Sequence, residues 1–273
     1  MIEDNYKVAI LGGGNIGAAI SNGLLNSKLF PPGNITVTRR RTELLADFVQ
    51  KGAKVSNDNI QAVKNSEIII VAVTPQQLNQ ILSEIKGSID PGKHIIISVV
   101  SGASIKEIRK QIESEAVIIR AMPNTAIAIG ESMTCISTDS ANNTALELAK
   151  KIFDSVGKTL VIDEELMVPA TALCACGVAF FLRAVRAASQ GGIEIGFHAE
   201  DALLMAAQTA KGAACLLLTS DHHPEREVDK VTTPQGCTIS GLNQMEHNGF
   251  SSALIKGIVT SAEKAARLYS PKE

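Results

Sequence analysis

Residues 8–17 read VAILGGGNIG. Four apolar residues suit a buried strand, and the G-x-G-x-x-G that follows opens a helical pattern. This sequence constrains the fold more than any other. Gly12 permits a tight turn, Gly14 lets backbone approach a pyrophosphate, and Gly17 lets helix and sheet pack closely. The amides around Asn15 and Ile16, at the helix start, then face a dianion. Strand before and helix after are the context that turns a weak glycine motif into a dinucleotide fingerprint.

The rest of the first half repeats the rhythm. Strands are expected at Lys7–Leu11, Ile35–Thr38, Lys54–Val55, Ile68–Val73, His94–Val99 and Val117–Arg120. Helical spacing separates them at Asn15–Ser27, Thr42–Gln50, Asn59–Lys64, from Gln76 and from Ser104. The β-branched run at Ile68–Val73 fits a strand covered on both faces. Such alternation predicts an α/β fold with a parallel-rich, doubly wound sheet and right-handed crossovers.

After Leu160–Ile162 no further strand is expected. Val168–Gln190, His198–Thr219 and Ser251–Leu268 are Ala-rich and helical. Cys174–Ala184 and Leu203–Leu218 are apolar around most of their circumference, so they need more cover than a small bundle offers. A homo-oligomer is therefore expected. The predicted organisation is an N-terminal Rossmann domain over 1–163 and an all-α dimerisation and substrate domain over 164–273.

The second strand bears on the cofactor. NAD-preferring domains usually end it in an acid that bonds the ribose 2′-hydroxyl. Here it ends in Thr38, Arg39, Arg40 and Arg41. Guanidinium groups suit a 2′-phosphate by charge and paired donors. NADP(H) is expected over NAD(H), with Arg39 and Arg40 the favoured pair. Ala72, Val73 and Pro75 follow the fourth strand, and Asn124 and Thr125 follow the sixth, at the carboxyl ends where such sheets bind ligands.

Global composition points to local rather than long-range recognition. The 273 residues carry a net charge of −2, with 45% apolar and 20% charged residues. That balance gives no general pull toward nucleic acid or an anionic membrane. No signal pattern is expected in MIEDNYKVAI, and no membrane span, because charges and glycines interrupt the apolar runs. Five irregularly spaced cysteines fit free thiols in a reducing cytoplasm, with no zinc or other metal site.

Five segments together resemble the Δ1-pyrroline-5-carboxylate reductase family: ILGGGNIG (10–17), AVTP (72–75), IRAMPNT (119–125), His223-Pro224, and VTTPQGCTI (231–239). The resemblance runs over nearly the whole chain. It implies a Rossmann domain followed by a helical domain that interlocks in a dimer, often assembled into decamers. It also implies hydride transfer from NAD(P)H to a cyclic imino acid, yielding L-proline. By position it makes Thr238 the residue contacting the substrate ring nitrogen, and Gly236 and Cys237 donors of amides to the substrate carboxylate. Val231 and Thr233 join this substrate-binding loop. It makes Asn59 a cofactor contact and Arg40 the 2′-phosphate arginine.

Two segments depart from the family pattern. Where the family has SGSGPAY, residues 174–180 are CACGVAF, so two hydroxyls become thiols and a phenol becomes Phe180. Gln235 stands where the family has glycine, a residue often chosen for positive φ. The changes leave two alternatives: reduction of another cyclic imine or ketone, or a non-catalytic NADP-binding protein. The presence of Thr238 and Gly236 argues against the latter.

Overall fold

The computed structural model describes residues 6–267. Residues 1–5, part of the segment read for a signal pattern, lie outside it, as does Leu268, the expected end of the last helix. The chain folds into two compact units. One holds residues up to Cys176 with those from Ser261 onward; the other is Gly177–Thr260.

The first unit contains an eight-stranded sheet. Its elements are β1 (Val8–Leu11), α1 (Asn15–Ser27), β2 (Ile35–Thr38), α2 (Ala46–Gln50), β3 (Lys54–Ser56), α3 (Asn59–Lys64), β4 (Ile68–Val71) and α4 (Pro75–Ile85). Then come β5 (Ile95–Ser98), α5 (Ile105–Ile112), β6 (Val117–Met122), β7 (Ser132–Thr138), α6 (Asn143–Asp154), β8 (Gly157–Val161) and α7 (Met167–Ala170). The strand order is β3-β2-β1-β4-β5-β6-β7-β8. Every neighbouring pair is parallel except β6 and β7.

Side-chain alternation explains why the central strands are apolar throughout. Ile68 and Ile70 join Val8, Ile10 and Ile97 under Ile20 and Leu24 of α1 and Phe153 of α6. Ile69 and Val71 point the other way, with Ala9, Leu11 and Ile96 under Leu78 and Leu82 of α4 and Ile108 of α5. Each such fully buried Val, Leu, Ile or Phe side chain contributes about 1.5–3 kcal/mol relative to exposure.

Three local features differ from the expectation. The fourth strand stops at Val71, because Thr74 and Gln77 form a capping box that starts α4 at Pro75. Residues 132–138 form an unanticipated strand; buried Ser132 and Thr134 bond one another at 3.0 Å, which lets polar residues face inward. The helix expected over 168–190 is interrupted: α7 gives way to a π-helical turn at Thr171–Cys176 before α8 (Gly177–Glu194) begins.

The second unit is helical. It holds α8, α9 (Ala199–Leu218), α10 (Pro224–Lys230), α11 (Cys237–His247) and most of α12 (Phe250–Ala265). Gly192 lets α8 approach α9, since a Cβ there would stand 3.0 Å from the Ala202 methyl. Phe181, Leu182, Leu204 and Leu218 remain exposed, as expected of helices awaiting cover. Residues Glu164–Glu194 and Ala199–Leu218 are long and apolar enough to cross a membrane by length and composition. Arg183, Arg186 and Lys211 are the basic residues inside them.

Candidate functional site

Strand order reverses between β1 and β4, and a crevice opens at their carboxyl ends. A cavity of about 450 Å³ occupies it. Gly12, Gly13 and Gly14 form one wall, Thr38–Arg41 the second, and Ala72–Thr74 with the exposed face of α4 the third.

The three fingerprint glycines are needed for different reasons. Gly12 has φ +106°, and a Cβ on it would lie 2.5 Å from the Ala72 carbonyl oxygen. A Cβ on Gly17 would collide with the Gly12 carbonyl. Gly14 is the opposite case: its Cβ would meet no protein atom within 4 Å. Nothing in the protein requires glycine there, but a ligand lying on the backbone would. No side chain caps α1, so its first amides stay open toward the cavity.

The basic turn lines the cavity. Its arginines are not equivalent. Arg39 donates to the Gly13 carbonyl at 2.9 Å, whereas Arg40 makes only a 3.5 Å contact with Gln80. Asn59 is held from two sides: it accepts from the Thr38 hydroxyl at 2.6 Å and donates to the Glu84 carboxylate at 3.1 Å. The amide therefore keeps one N–H and one lone pair for another partner.

Other expected cofactor residues lie near the cavity without lining it. Asn15 and Ile16 open α1, Gly17 is buried within its first turn, and Pro75 is the first residue of α4. Asn124 is engaged elsewhere: its side chain accepts from Ala126 N at 3.0 Å and donates to the Cys174 carbonyl at 3.2 Å. Thr74, from the AVTP segment, also lines the cavity, as do Gln77, Gln80 and Glu84, which the sequence did not single out. The signal for the last three was their spacing of three and four, which puts them on one helix face.

Residues 164–268 match a family described as pyrroline-5-carboxylate reductase dimerisation, and residues 7–102 one described as NADP oxidoreductase, coenzyme F420-dependent. Pyrroline-5-carboxylate reductase 2 of Dictyostelium discoideum is 48% identical over 97% of this chain and 94% of its own. The chain belongs to the pyrroline-5-carboxylate reductase family. Pyrroline-5-carboxylate reductase 1 of the same organism is 56% identical over 97% of this chain, which spans 50% of that protein's length. Among solved structures, a pyrroline-5-carboxylate reductase from Coxiella burnetii superposes with TM-score 0.90 at 26% identity, covering 97% and 99% of the two chains. The Plasmodium falciparum pyrroline carboxylate reductase with NADP bound gives 0.87 at 25%, covering 98% and 99%. The dimerisation family over the helical half points to a homo-oligomer.

In this member of the pyrroline-5-carboxylate reductase family, the residues expected to bind substrate share one loop of the second unit. Val231 and Thr233 are exposed, Gly236 is the N-cap of α11, and Cys237 and Thr238 form its first turn. No side chain caps α11, so its leading amides are available to an anion. A Cβ on Gly236 would strike the Thr233 hydroxyl and crowd its carbonyl oxygen at 3.0 Å, so a side chain there requires Thr233 to shift. Gln235 has φ +58°, a left-handed conformation that glycine adopts without strain. His222 and His223 have structural partners: the first pairs with Glu227 at 2.6 Å, and the second caps α10.

Proposed function

We propose that this chain reduces the C=N bond of 1-pyrroline-5-carboxylate to L-proline, the last step of proline biosynthesis, with NADPH as the favoured donor over NADH. The observation that carries the reading is the end-to-end match to relatives named for this activity, the second Dictyostelium protein at 48% identity over 94% of its length. The cavity fits the cofactor on its own terms. Gly14 leaves room for a ligand against backbone, three arginines offer counter-charge, and no acid ends β2.

In this reading Gly12, Gly14, Asn15, Ile16 and Gly17 form the pyrophosphate cradle. Arg40 and Arg39 face the 2′-phosphate, Asn59, Ala72, Val73 and Pro75 complete the cofactor site, and Asn124 joins it with the N–H and lone pair left over from its bonds to Cys174 and Ala126. Reduced nicotinamide supplies the hydride that saturates the imine carbon. Thr238 presents its hydroxyl to the ring nitrogen, while amides of Gly236 and Cys237, flanked by Val231 and Thr233, hold the carboxylate. A cyclic imine takes its proton readily from water, so the protein's contribution is orientation and electrostatics.

Residues 1–163 act as the NADP-binding domain and 164–273 as the helical dimerisation and substrate domain. The assembly is a homodimer in the cytoplasm, with larger assembly into a decamer. The thiols at Cys174 and Cys176 and the ring of Phe180 favour a second reading, reduction of another cyclic imine or ketone, because they make the segment more apolar than the family's. Supplying purified protein with NADPH and either 1-pyrroline-5-carboxylate or related imines separates the two readings by which product forms.

A further inference from the structure

Cys135 and Cys174 come from separate elements, β7 and the π-helical turn at Thr171–Cys176. Their sulfurs lie 4.0 Å apart. Cys135 is buried at 3% exposure, whereas Cys174 is half-buried. Both pack in a small cluster with Met122, Met133, Met167 and Ala170, separate from the two main cores.

A thiol pair needs a nucleophile, a resolving partner and a short approach. The pair has all three. The hydrogen bond between the two sulfurs lowers the Cys174 thiol from its ordinary range, against the opposing pull of burial. The same bond, and then burial, push the Cys135 thiol upward. Cys174 is thus the more accessible and more acidic sulfur, and Cys135 waits behind it. Disulfide formation requires the sulfurs to close to about 2.05 Å, a travel of roughly 2 Å. Cys174 sits in a turn where the regular helical ladder is already broken and its carbonyl is held by Asn124 at 3.2 Å.

We propose that Cys135 and Cys174 form a site of oxidative modification, closed to an intrachain disulfide by hydroperoxides and reopened by thiols. The Cys174 thiolate attacks one peroxide oxygen, the O–O bond breaks, and a sulfenic acid forms as hydroxide leaves and takes up a proton. The Cys135 sulfur then attacks the sulfenic sulfur; the S–O bond breaks, water leaves with the Cys135 proton, and the S–S bond forms. Two thiols are oxidised, and one hydrogen peroxide is reduced to two waters. In a reducing compartment the pair rests open and closes under peroxide stress. Closure pulls the π-helical turn toward β7 and displaces the Cys174 carbonyl from Asn124. The consequence for turnover rests on the reductase reading; the cross-link does not.

The test treats the folded, full-length protein with hydrogen peroxide and measures intact mass, linked peptides and free thiols. The expected result is loss of two hydrogens, one Cys135–Cys174 peptide and two fewer than the five thiols of the chain, all reversed by dithiothreitol. C135S should lose the cross-link and instead accumulate a dimedone-reactive sulfenic acid at Cys174. Retention of all thiols by folded protein, or links formed only through Cys176, Cys215 or Cys237, would overturn the proposal. Turnover is followed in the same samples. Reduced protein that forms proline, then slows several-fold on cross-linking while C135S does not, supports the link to Asn124; equal rates in cross-linked and reduced protein refute it. Reduced protein that forms no proline contradicts the reductase reading and leaves the mass result to decide the cross-link.

Discussion

The guanidinium of Arg39 donates to the carbonyl oxygen of Gly13 at 2.9 Å, so the basic turn braces the glycine loop as well as charging the cavity. Arg40, one residue on, has only a 3.5 Å contact with Gln80. The two arginines should therefore separate experimentally. Arg40→Ala is expected to weaken NADPH about 10–100-fold, the worth of a charge-assisted bond, while leaving NADH nearly unchanged. Arg39→Ala should weaken both, because the Gly13 turn loses its brace. Titration of each variant with both nucleotides checks this; parallel losses in Arg40→Ala would remove it from the 2′-phosphate.

Glu84 lies in the same cavity and holds the Asn59 amide at 3.1 Å. Its carboxylate opposes a 2′-phosphate but not a 2′-hydroxyl. Glu84→Gln keeps an acceptor for Asn59 and removes the charge. The ratio of NADPH to NADH affinity should rise about threefold at low salt and less at high salt, as exposed charges are screened. An unchanged ratio at low salt would show that Glu84 acts through Asn59 alone.

Gln235 occupies a left-handed conformation, φ +58°. For a non-glycine residue this costs about 1–2 kcal/mol, against which glycine loses some chain entropy. Gln235→Gly should raise stability by about 0.5–1 kcal/mol. Denaturant midpoints at one fixed protein concentration measure it, and a lower midpoint for the variant would show that the Gln235 side chain contributes more than the strain it carries.

His94 is buried at 2% exposure. Its Nδ1 accepts from the Asp90 amide at 2.9 Å, which leaves the neutral ring's proton on Nε2. Burial, helped by the neighbouring Lys93 charge, lowers its pKa below the ordinary 6.5. The unfolded chain therefore takes up a proton before the folded one does. This contribution is complete above pH 6.5 and is lost as pH falls toward the folded-state value, at a slope of at most about 1.4 kcal/mol per pH unit. Thermal midpoints should drop between pH ~7 and pH ~5.5 in wild type and less in His94→Gln; parallel curves would contradict the assignment.

Much of this protein was legible in its sequence because the relevant signals are local. Gly12, Gly14 and Gly17 announced the turn, and the run Ile68–Val71 announced a strand buried on both faces. The strand β7 was not legible: Ser132, Thr134 and Ser137 look like surface residues until partners such as Thr134 for Ser132 and β6 for the backbone are in place. The π-helical turn had no local signal either, since residues 171–176 read as ordinary helix. The Asn124 amide reaches Cys174 from a strand end fifty positions away. Cavity residues on α4 were half-legible: their spacing gives a face, but only the sheet order shows what that face meets.

Purified protein is supplied with NADPH and 1-pyrroline-5-carboxylate, and NADPH consumption and L-proline are followed together, with Thr238→Ala alongside. Stoichiometric proline is expected from the wild type, and from Thr238→Ala a turnover at least tenfold lower, the scale of one lost oriented contact, with NADPH binding intact. Wild-type protein that binds NADPH yet reduces a related cyclic imine and makes no proline would contradict the proposed reaction.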